Sequence, residues 1–393
     1  YGLIFKLSFF MKSFKNIGII GAGSMGVGIA QIASTSECNV FLYDQNKSVS
    51  EQAIKKLEKV LLRLIEKGKI NSVKKDSILS NIKIVESLES MKDSDLIIEA
   101  IVENSAAKKE IFSQIESIVS GDCVLATNTS SISITSLASC LKNPIRFLGI
   151  HFFNPAPVMP LVEIIPALQT NNNIVKEIHQ LLLNWNKKPV VAKDTPGFIV
   201  NRIARPFYSE ALRIHDEQIA DFATIDFAMK HIGGFKMGPF ELMDFIGNDV
   251  NYAVTESVFK AFYYDPRYKP SFTQKQYADA GWLGRKSSKG YYDYGGNVDL
   301  VLPSTDEKLL KEIFERILVM LINEAMDALY LGIATEQDIE LAMIKGVNYP
   351  KGLIKWGKEK SYSWVVDKID TLYKIYHEDR YRCSPLLRKK ATN

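Results

Sequence analysis

The segment FLGIHFFNPAPVMPLVEII, Phe147 to Ile165, places a histidine and a glutamate twelve residues apart in two short apolar stretches. His151 follows one apolar run and precedes an Asn-Pro turn, a position at which many histidines are purely structural. Glu163 lies among aliphatic residues, where a buried carboxylate is costly unless it is paired. An imidazole N–H is an obvious partner, and an imidazole can exchange a proton near neutral pH. From these residues alone, the pair could have either a purely structural role or a role in proton transfer.

A glycine-rich turn near the start of the chain is a second chemical signal. Asn16 to Ile20 is predicted as a short β-strand, and a helix is predicted to run on through Ala33. The turn between them fits G-x-G-x-x-G, with the residues Gly21, Ala22, Gly23, Ser24, Met25 and Gly26. Such glycines allow a tight turn, close approach of a pyrophosphate and close helix–strand packing, while the helix N-terminus offers N–H groups to phosphate. Taken alone, the motif also fits a purely structural turn.

An acidic residue at the expected distance turns this motif into a cofactor prediction. A second strand, NVFLYD, ends at Asp44, 18 positions after Gly26. A carboxylate about 20 residues after the glycines binds the hydroxyls of the adenosine ribose. Because it also repels a 2′-phosphate, the predicted cofactor is NAD rather than NADP.

Strand-like and helical segments alternate after this point. Apolar stretches at 95–101 and 123–130 are predicted strands, and 105–119 and 131–140 are predicted helices. This alternation predicts a Rossmann-like, doubly wound α/β domain whose site lies at the carboxyl ends of the strands. Glu103 and Asn104 follow one strand, and the segment Asn128 to Ser130 follows the next. A ligand is therefore expected to meet these residues.

The chain resembles the L-3-hydroxyacyl-CoA dehydrogenase family over about residues 14 to 295, which include the segments described above. The resemblance rests on seven motifs in family order: the glycine turn, EAIVEN, NTSS, HFFNP, VEII, DTPGFIVNR and MGPFEL. It implies NAD-dependent oxidation of an (S)-3-hydroxyacyl-CoA to a 3-ketoacyl-CoA, reversibly, in fatty-acid β-oxidation or related acyl-CoA metabolism. A short-chain substrate such as 3-hydroxybutyryl-CoA is the expected one.

The resemblance also implies roles for individual residues. The family's catalytic histidine falls on His151, its orienting glutamate on Glu163, and its substrate-contacting serine and asparagine on Ser130 and Asn201. A neutral imidazole, with a typical pKa of about 6.5, suits removal of the hydroxyl proton as hydride leaves C3. The implied cofactor contacts are residues 21 to 26, Asp44, Glu103, Lys108, Ser130, Asn154 and Lys286.

A basic helical arm is predicted within the first domain at about residues 47–80. Lys55, Lys59, Arg63 and Lys67 recur at helical spacing beside apolar residues that include Leu57 and Val60. A solvated helix face accounts for this pattern. The resemblance instead places the acyl-CoA near the arm, with Lys67 as a substrate contact, and the position of a second family contact falls on Val60.

The C-terminal half contains an internal repeat. The stretch EALRIHDEQIADFATIDFAM, from Glu210, resembles EAMDALYLGIATEQDIELAM, from Glu324, at an offset of 114 residues that also relates Arg202 to Arg316. The predicted organisation is an NAD-binding domain over 11–193, a helical domain over 194–295 and a similar helical domain over 305–393. Because Asn201 corresponds to Glu315, the copy is predicted to be structural, and packing within one chain would let it replace a partner subunit in a monomer or homodimer.

Segment 193–198, KDTPGF, is predicted to open the first helical domain with Thr195 as a cap and Pro196 in the first helical turn. The tail from Tyr376 resembles the end of long family members, including those acting on 3-hydroxyadipyl-CoA, and a chain end packed on the last domain is favoured over a binding element. The leader resembles a short signal peptide without a cleavage site, so Met11 is the expected start.

Composition narrows the classes of partner. The 393 residues carry 49 basic and 45 acidic side chains and no long block of like charge, which argues against binding nucleic acid or a membrane surface. Four scattered cysteines suggest neither a disulfide framework nor a metal site and fit the cytoplasm. Two alternatives remain: a dehydrogenase of a free hydroxy acid or sugar acid on the same scaffold, and a non-catalytic NAD-binding protein.

Overall fold

The computed structural model describes residues 12–296 and 301–392 of the chain. The chain divides into two compact units, one ending at Pro189 and the other beginning at Val190. The expected start at Met11 and part of segment 295–305, between the two predicted helical domains, lie outside the described residues.

The first unit is built on one eight-stranded sheet with strand order β3-β2-β1-β4-β5-β6-β7-β8. Its strands are β1 Asn16–Ile20, β2 Asn39–Tyr43, β3 Ile82–Val85, β4 Leu96–Glu99, β5 Val124–Thr127, β6 Phe147–Phe152, β7 Leu161–Pro166 and β8 Lys188–Val191. The pairs from β3 through β6 are parallel, whereas β6 and β7 pair antiparallel. The strand order changes direction at β1, so the site expected at a topological switch point lies beyond the carboxyl ends of β1 and β4.

Helices of the first unit cover the sheet and form the predicted arm. They are α1 Ser24–Thr35, α2 Lys47–Glu66, α3 Ser72–Ser80, α4 Ser105–Glu116, α5 Ile134–Ala138 and α6 Asn172–Asn184, with short 3₁₀ helices at Leu88–Met91 and Pro144–Arg146. Asparagine side chains cap α2, α3, α4 and α6 by accepting from backbone N–H groups of the first turn. In the arm, Leu57 and Leu61 are buried, whereas Val60 is 45% exposed.

The second unit is helical. Its α-helices are α7 Val200–Ile203, α8 Arg205–Asp216, α9 Phe222–His231, α10 Pro239–Ile246, α11 Asn248–Ala261, α12 Phe272–Asp279, α13 Glu307–Tyr330, α14 Glu336–Gly346, α15 Leu353–Lys360, α16 Tyr362–Tyr376 and α17 Pro385–Ala391. Short 3₁₀ helices lie at Pro266–Tyr268, Arg285–Ser287 and Asp379–Tyr381. The long helix α13 is buried along most of its length and packs against α8 and α9.

Two similar helical halves make equivalent ion pairs within this unit. Arg202 Nε lies 2.7 Å from Glu324 Oε1, and Arg316 Nε lies 3.1 Å from Glu210 Oε2. Each arginine belongs to one half and pairs with the glutamate of the other, at corresponding repeat positions. The predicted fold class, an α/β domain followed by two similar helical domains, is confirmed.

The predicted opening of the first helical domain is wrong in detail. Residues 196–199 form a turn, and the helix begins only at Val200. Gly197 and Phe198 have φ angles of 73° and 46°, which are incompatible with a right-handed helix. Thr195 therefore is not the cap of this helix.

Candidate active site

The glycine turn after β1 has the geometry that a dinucleotide requires. Gly21 has a φ of 104°, and a Cβ there would lie 2.6 Å from the carbonyl oxygen of Ala100. A Cβ on Gly26 would lie only 1.8 Å from the carbonyl oxygen of Gly21, whereas one on Gly23 would meet nothing within 4 Å. Gly21 and Gly26 are thus required by the fold, and Gly23 faces open space where a pyrophosphate can approach the backbone.

Asp44 lies beside this turn at the end of β2. Its carboxylate accepts hydrogen bonds from Ala22 N, at 2.9 Å, and from Asn46 N, at 3.0 Å. A cavity of about 550 Å³ opens next to it and is lined by Gly21, Gly23, Asp44, Gln45 and Val102, among others. Helix α1 begins at Ser24, so the first N–H groups of the helix, including that of Met25, face the same turn. These residues fit the adenosine and pyrophosphate of NAD.

His151 and Glu163 face each other across the antiparallel pair β6–β7. They are register partners, and His151 Nδ1 lies 2.7 Å from Glu163 Oε2. The Glu163 side chain is fully buried and that of His151 is 7% exposed. Because a carboxylate only accepts, Nδ1 is the protonated nitrogen of the neutral ring, and Nε2 carries the lone pair. The arrangement can accept a proton at Nε2 and stabilise the imidazolium that results.

The loops after β4 and β5 are tied together beside this pair. Glu103 Oε1 accepts from Ser130 N, at 3.1 Å, and from the Thr129 hydroxyl, at 2.6 Å. Asn128 Oδ1 accepts from Phe152 N, at 2.8 Å, which joins the β5 loop to the strand of His151. Among the described residues, the Ser130 hydroxyl makes no hydrogen bond. The predicted Glu103, Ser130 and His151 therefore lie at the ends of three consecutive strands of the sheet.

Lys108, a predicted cofactor contact, is buried rather than exposed at the surface. Its side chain is 1% exposed, and its ammonium contacts the carboxylates of Glu99, at 2.5 Å, and Glu103, at 3.4 Å. Sequence reasoning missed Glu99, a fully buried glutamate at the last position of β4. The signal was present, because Glu99 lies among aliphatic residues in DLIIEAI just as Glu163 does in LVEII.

The remaining predicted contacts are distributed over both units. In the first unit, Asn154 is exposed just after β6, and Lys67 is exposed at the end of α2. In the second unit, Asn201 lies in α7, and Lys286 forms an ion pair of 2.6 Å with Asp249. The roles of these four residues stay predictions.

The fold and this site define an NAD-binding oxidoreductase of the Rossmann type. The profile of the 3-hydroxyacyl-CoA dehydrogenase NAD-binding domain matches residues 16–195, and that of the C-terminal domain matches residues 197–294 and 313–393. The chain belongs to the 3-hydroxyacyl-CoA dehydrogenase family, so the predicted enzyme class and cofactor are confirmed.

Named relatives cover between 71% and 97% of the chain. It is 35% identical to the 3-hydroxyadipyl-CoA dehydrogenase of Escherichia coli K12, covering 97% of this chain and 98% of the relative. It is 40% identical to the probable 3-hydroxybutyryl-CoA dehydrogenase of Bacillus subtilis, covering 71% and 97%. The crystal structure of a 3-hydroxybutyryl-CoA dehydrogenase from Escherichia coli K12 superimposes with a TM-score of 0.93 at 34% identity, covering 97% and 99%.

Residues 12–296 and 301–392 lack two features, a membrane-spanning helix and a metal-binding cluster. No helix in these ranges is both long and apolar enough to cross a membrane. No cluster of three or more His, Cys, Asp or Glu side chains in them is arranged to hold a metal ion.

Proposed function

We propose that this protein oxidises (S)-3-hydroxyacyl-CoA to 3-ketoacyl-CoA, with His151 as the general base and Glu163 as the residue that orients it. The observation that carries the proposal is the buried contact of 2.7 Å between His151 Nδ1 and Glu163 Oε2. It supports a fixed tautomer with a proton-accepting Nε2, which alcohol oxidation requires.

The chain's own residues move one proton in this scheme. His151 Nε2 takes the proton of the C3 hydroxyl, and the carboxylate of Glu163 stabilises the imidazolium. NAD, when bound, accepts the hydride from C3. In the reverse direction, the His151 imidazolium returns the proton to the oxygen. Ser130 and Asn201 are proposed to position the hydroxyl and the thioester carbonyl by hydrogen bonds.

Cofactor binding is proposed to use the glycine turn for the pyrophosphate and Asp44 for the adenosine ribose, which favours NAD over NADP. Glu103, Lys108, Asn154 and Lys286 are proposed as further contacts. Close packing at Gly26 and open space at Gly23 support this assignment.

The acyl-CoA is proposed to be short, with 3-hydroxybutyryl-CoA as the leading substrate. Relatives named for 3-hydroxybutyryl-CoA and for 3-hydroxyadipyl-CoA support a short acyl chain. The second name makes a dicarboxylic acyl group the alternative substrate. Lys67, exposed at the end of the basic helix α2, is the proposed contact for the CoA phosphates. We further propose that the protein works in the cytoplasm, where its four unpaired cysteines stay reduced.

A substrate comparison tests this proposal against its alternatives. NADH oxidation is followed at 340 nm with acetoacetyl-CoA, 3-oxoadipyl-CoA and free acetoacetate at equal concentrations. The proposal expects turnover of at least one CoA ester and a much lower kcat/KM for the free acid. Turnover of acetoacetate alone would favour the free-acid dehydrogenase, and NADH binding without turnover of any substrate would favour a non-catalytic protein.

A further inference from the structure

We propose that a ring of five residues, four of them buried, gives this site a net negative charge that favours oxidised over reduced NAD. The ring consists of Glu99, Lys108, Glu103, Thr129 and Thr127, and we call it the acidic ring. It joins the ends of β4 and β5 to the start of α4. The inference rests on the proposed function, because it uses the direction in which NAD lies across the sheet.

Contacts within the acidic ring are continuous. Lys108 Nζ contacts both carboxylates, and the Thr127 hydroxyl donates to Glu99 Oε2 at 2.7 Å. Thr129 N donates to the Thr127 hydroxyl at 3.2 Å, and the Thr129 hydroxyl donates to Glu103 Oε1 at 2.6 Å. Each member therefore contacts two others, and four of the five are at most 1% exposed.

Both carboxylates are surrounded by hydrogen-bond donors. Glu99 accepts from Ile101 N at 2.7 Å in addition to Lys108 and Thr127. Burial raises the pKa of the Glu103 carboxyl, but the Thr129 hydroxyl and the Lys108 ammonium outweigh this effect, so its pKa lies below the usual range. Two carboxylates and one ammonium sum to a net charge of −1. Screening by water is weak around Glu99 and Lys108, which are buried, and the Glu103 side chain is 40% exposed.

The order of strands places this charge between the proposed adenosine position and the reactive end of the cofactor. In the proposed function, the adenosine lies at Asp44 after β2, and the nicotinamide lies toward His151 on β6. Strands β4 and β5, which carry the acidic ring, lie between these two positions in the sheet. The oxidised nicotinamide is positively charged and the reduced one is neutral. A negative site therefore stabilises NAD⁺ relative to NADH.

Three variants distinguish an effect of the net charge of the acidic ring on cofactor affinity from an effect of its structure. Glu99→Gln makes the net charge zero, Lys108→Met makes it −2, and the double variant restores −1 without the ion pair. Dissociation constants for NAD⁺ and NADH are measured on the full chain by calorimetry and fluorescence. Their ratio, Kd(NADH)/Kd(NAD⁺), is compared because a general loss of affinity cancels. The matched control is Glu86→Gln, which removes an exposed carboxylate after β3.

The ratio is expected to fall about fivefold in Glu99→Gln, to rise by a similar factor in Lys108→Met and to return to within about twofold of the wild type in the double variant. If Glu99→Gln alone fails to fold, Lys108→Met and the double variant still differ by one charge. An equal ratio in all variants, or a shift of the same sign in both single variants, would overturn the inference. A wild type that binds neither NAD⁺ nor NADH would instead reject the proposed function.

Discussion

Glu163 and Glu99 are both buried in strands of one sheet, yet their partners assign them different chemistry. Glu163 faces an imidazole, which can gain and lose a proton at its second nitrogen while the contact persists. Glu99 faces an ammonium, a backbone N–H and a hydroxyl, which hold its charge in place. These contacts support the proposed proton transfer at the first site and the proposed electrostatic effect at the second.

The glycine turn provides a matched pair of substitutions at the residue scale. Gly23→Ala adds a methyl group that meets no protein atom within 4 Å, so folding should be unchanged. The same methyl should obstruct the pyrophosphate and weaken NAD binding about tenfold or more. Gly26→Ala would place Cβ 1.8 Å from a backbone oxygen and should lower the free energy of unfolding by several kcal/mol, about 3 or more.

Urea unfolding and NAD titration of both variants check this prediction. An unfolding midpoint for Gly23→Ala that matches the wild type, together with undiminished NAD affinity, would contradict the assignment of Gly23 to the pyrophosphate.

At the scale of elements, the sequence was informative where one local pattern decides the outcome. Alternating strands and helices predicted the sheet, and the cost of burying Glu163 predicted its pairing with His151. The sequence prediction was wrong at Thr195, where a cap residue followed by proline indicated the start of a helix. The left-handed φ angles of Gly197 and Phe198 prevent a helix from starting there. The sequence prediction also missed the burial of Lys108, which depends on Glu99 from a neighbouring element and leaves no local periodic pattern.

Lys187, just before β8, anchors the loop that follows the histidine strand. Its ammonium donates to the carbonyl oxygens of Ala156, at 2.6 Å, and Met159, at 2.8 Å. Burial lowers the pKa of Lys187 from 10.5 to about 8. Between these two pH values the unfolded chain binds a proton that the folded chain lacks, so the free energy of unfolding gains a contribution that rises with pH.

This contribution should be absent from Lys187→Met and present in Lys188→Met, whose side chain is exposed. Urea midpoints at pH 7.5, 8.5 and 9.5 measure it as a wild-type-minus-variant difference that grows with pH for Lys187→Met only. A difference for Lys187→Met that is constant across this range would contradict the lowered pKa.

At the scale of the whole molecule, we propose that the repeat lets one chain bury its own helical core. The exchanged pairs Arg202–Glu324 and Arg316–Glu210 relate the two halves of the second unit as two subunits of a dimer would be related. Breaking such buried pairs leaves an uncompensated charge, so both halves depend on each other.

We predict a monomer of 44.3 kDa that binds one NAD per chain. The second half covers α8 and α9 with its own α13, so we expect no partner subunit there, and it carries Glu315 where the first half has Asn201. Sedimentation equilibrium and calorimetric stoichiometry check both statements. A two-fold dimer built on α8 and α9, or two NAD molecules per chain, would contradict the structural role of the repeat.

The proposed proton transfer is tested most directly in His151→Ala, by measuring the reduction of acetoacetyl-CoA by NADH at 340 nm together with a titration of NADH binding. We expect kcat to fall about 10² to 10⁴-fold while NADH affinity stays within about twofold of the wild type, because the base is lost and the glycine turn is untouched. Wild-type turnover retained in His151→Ala would show that another group transfers the proton and would contradict the central role of the His151–Glu163 pair.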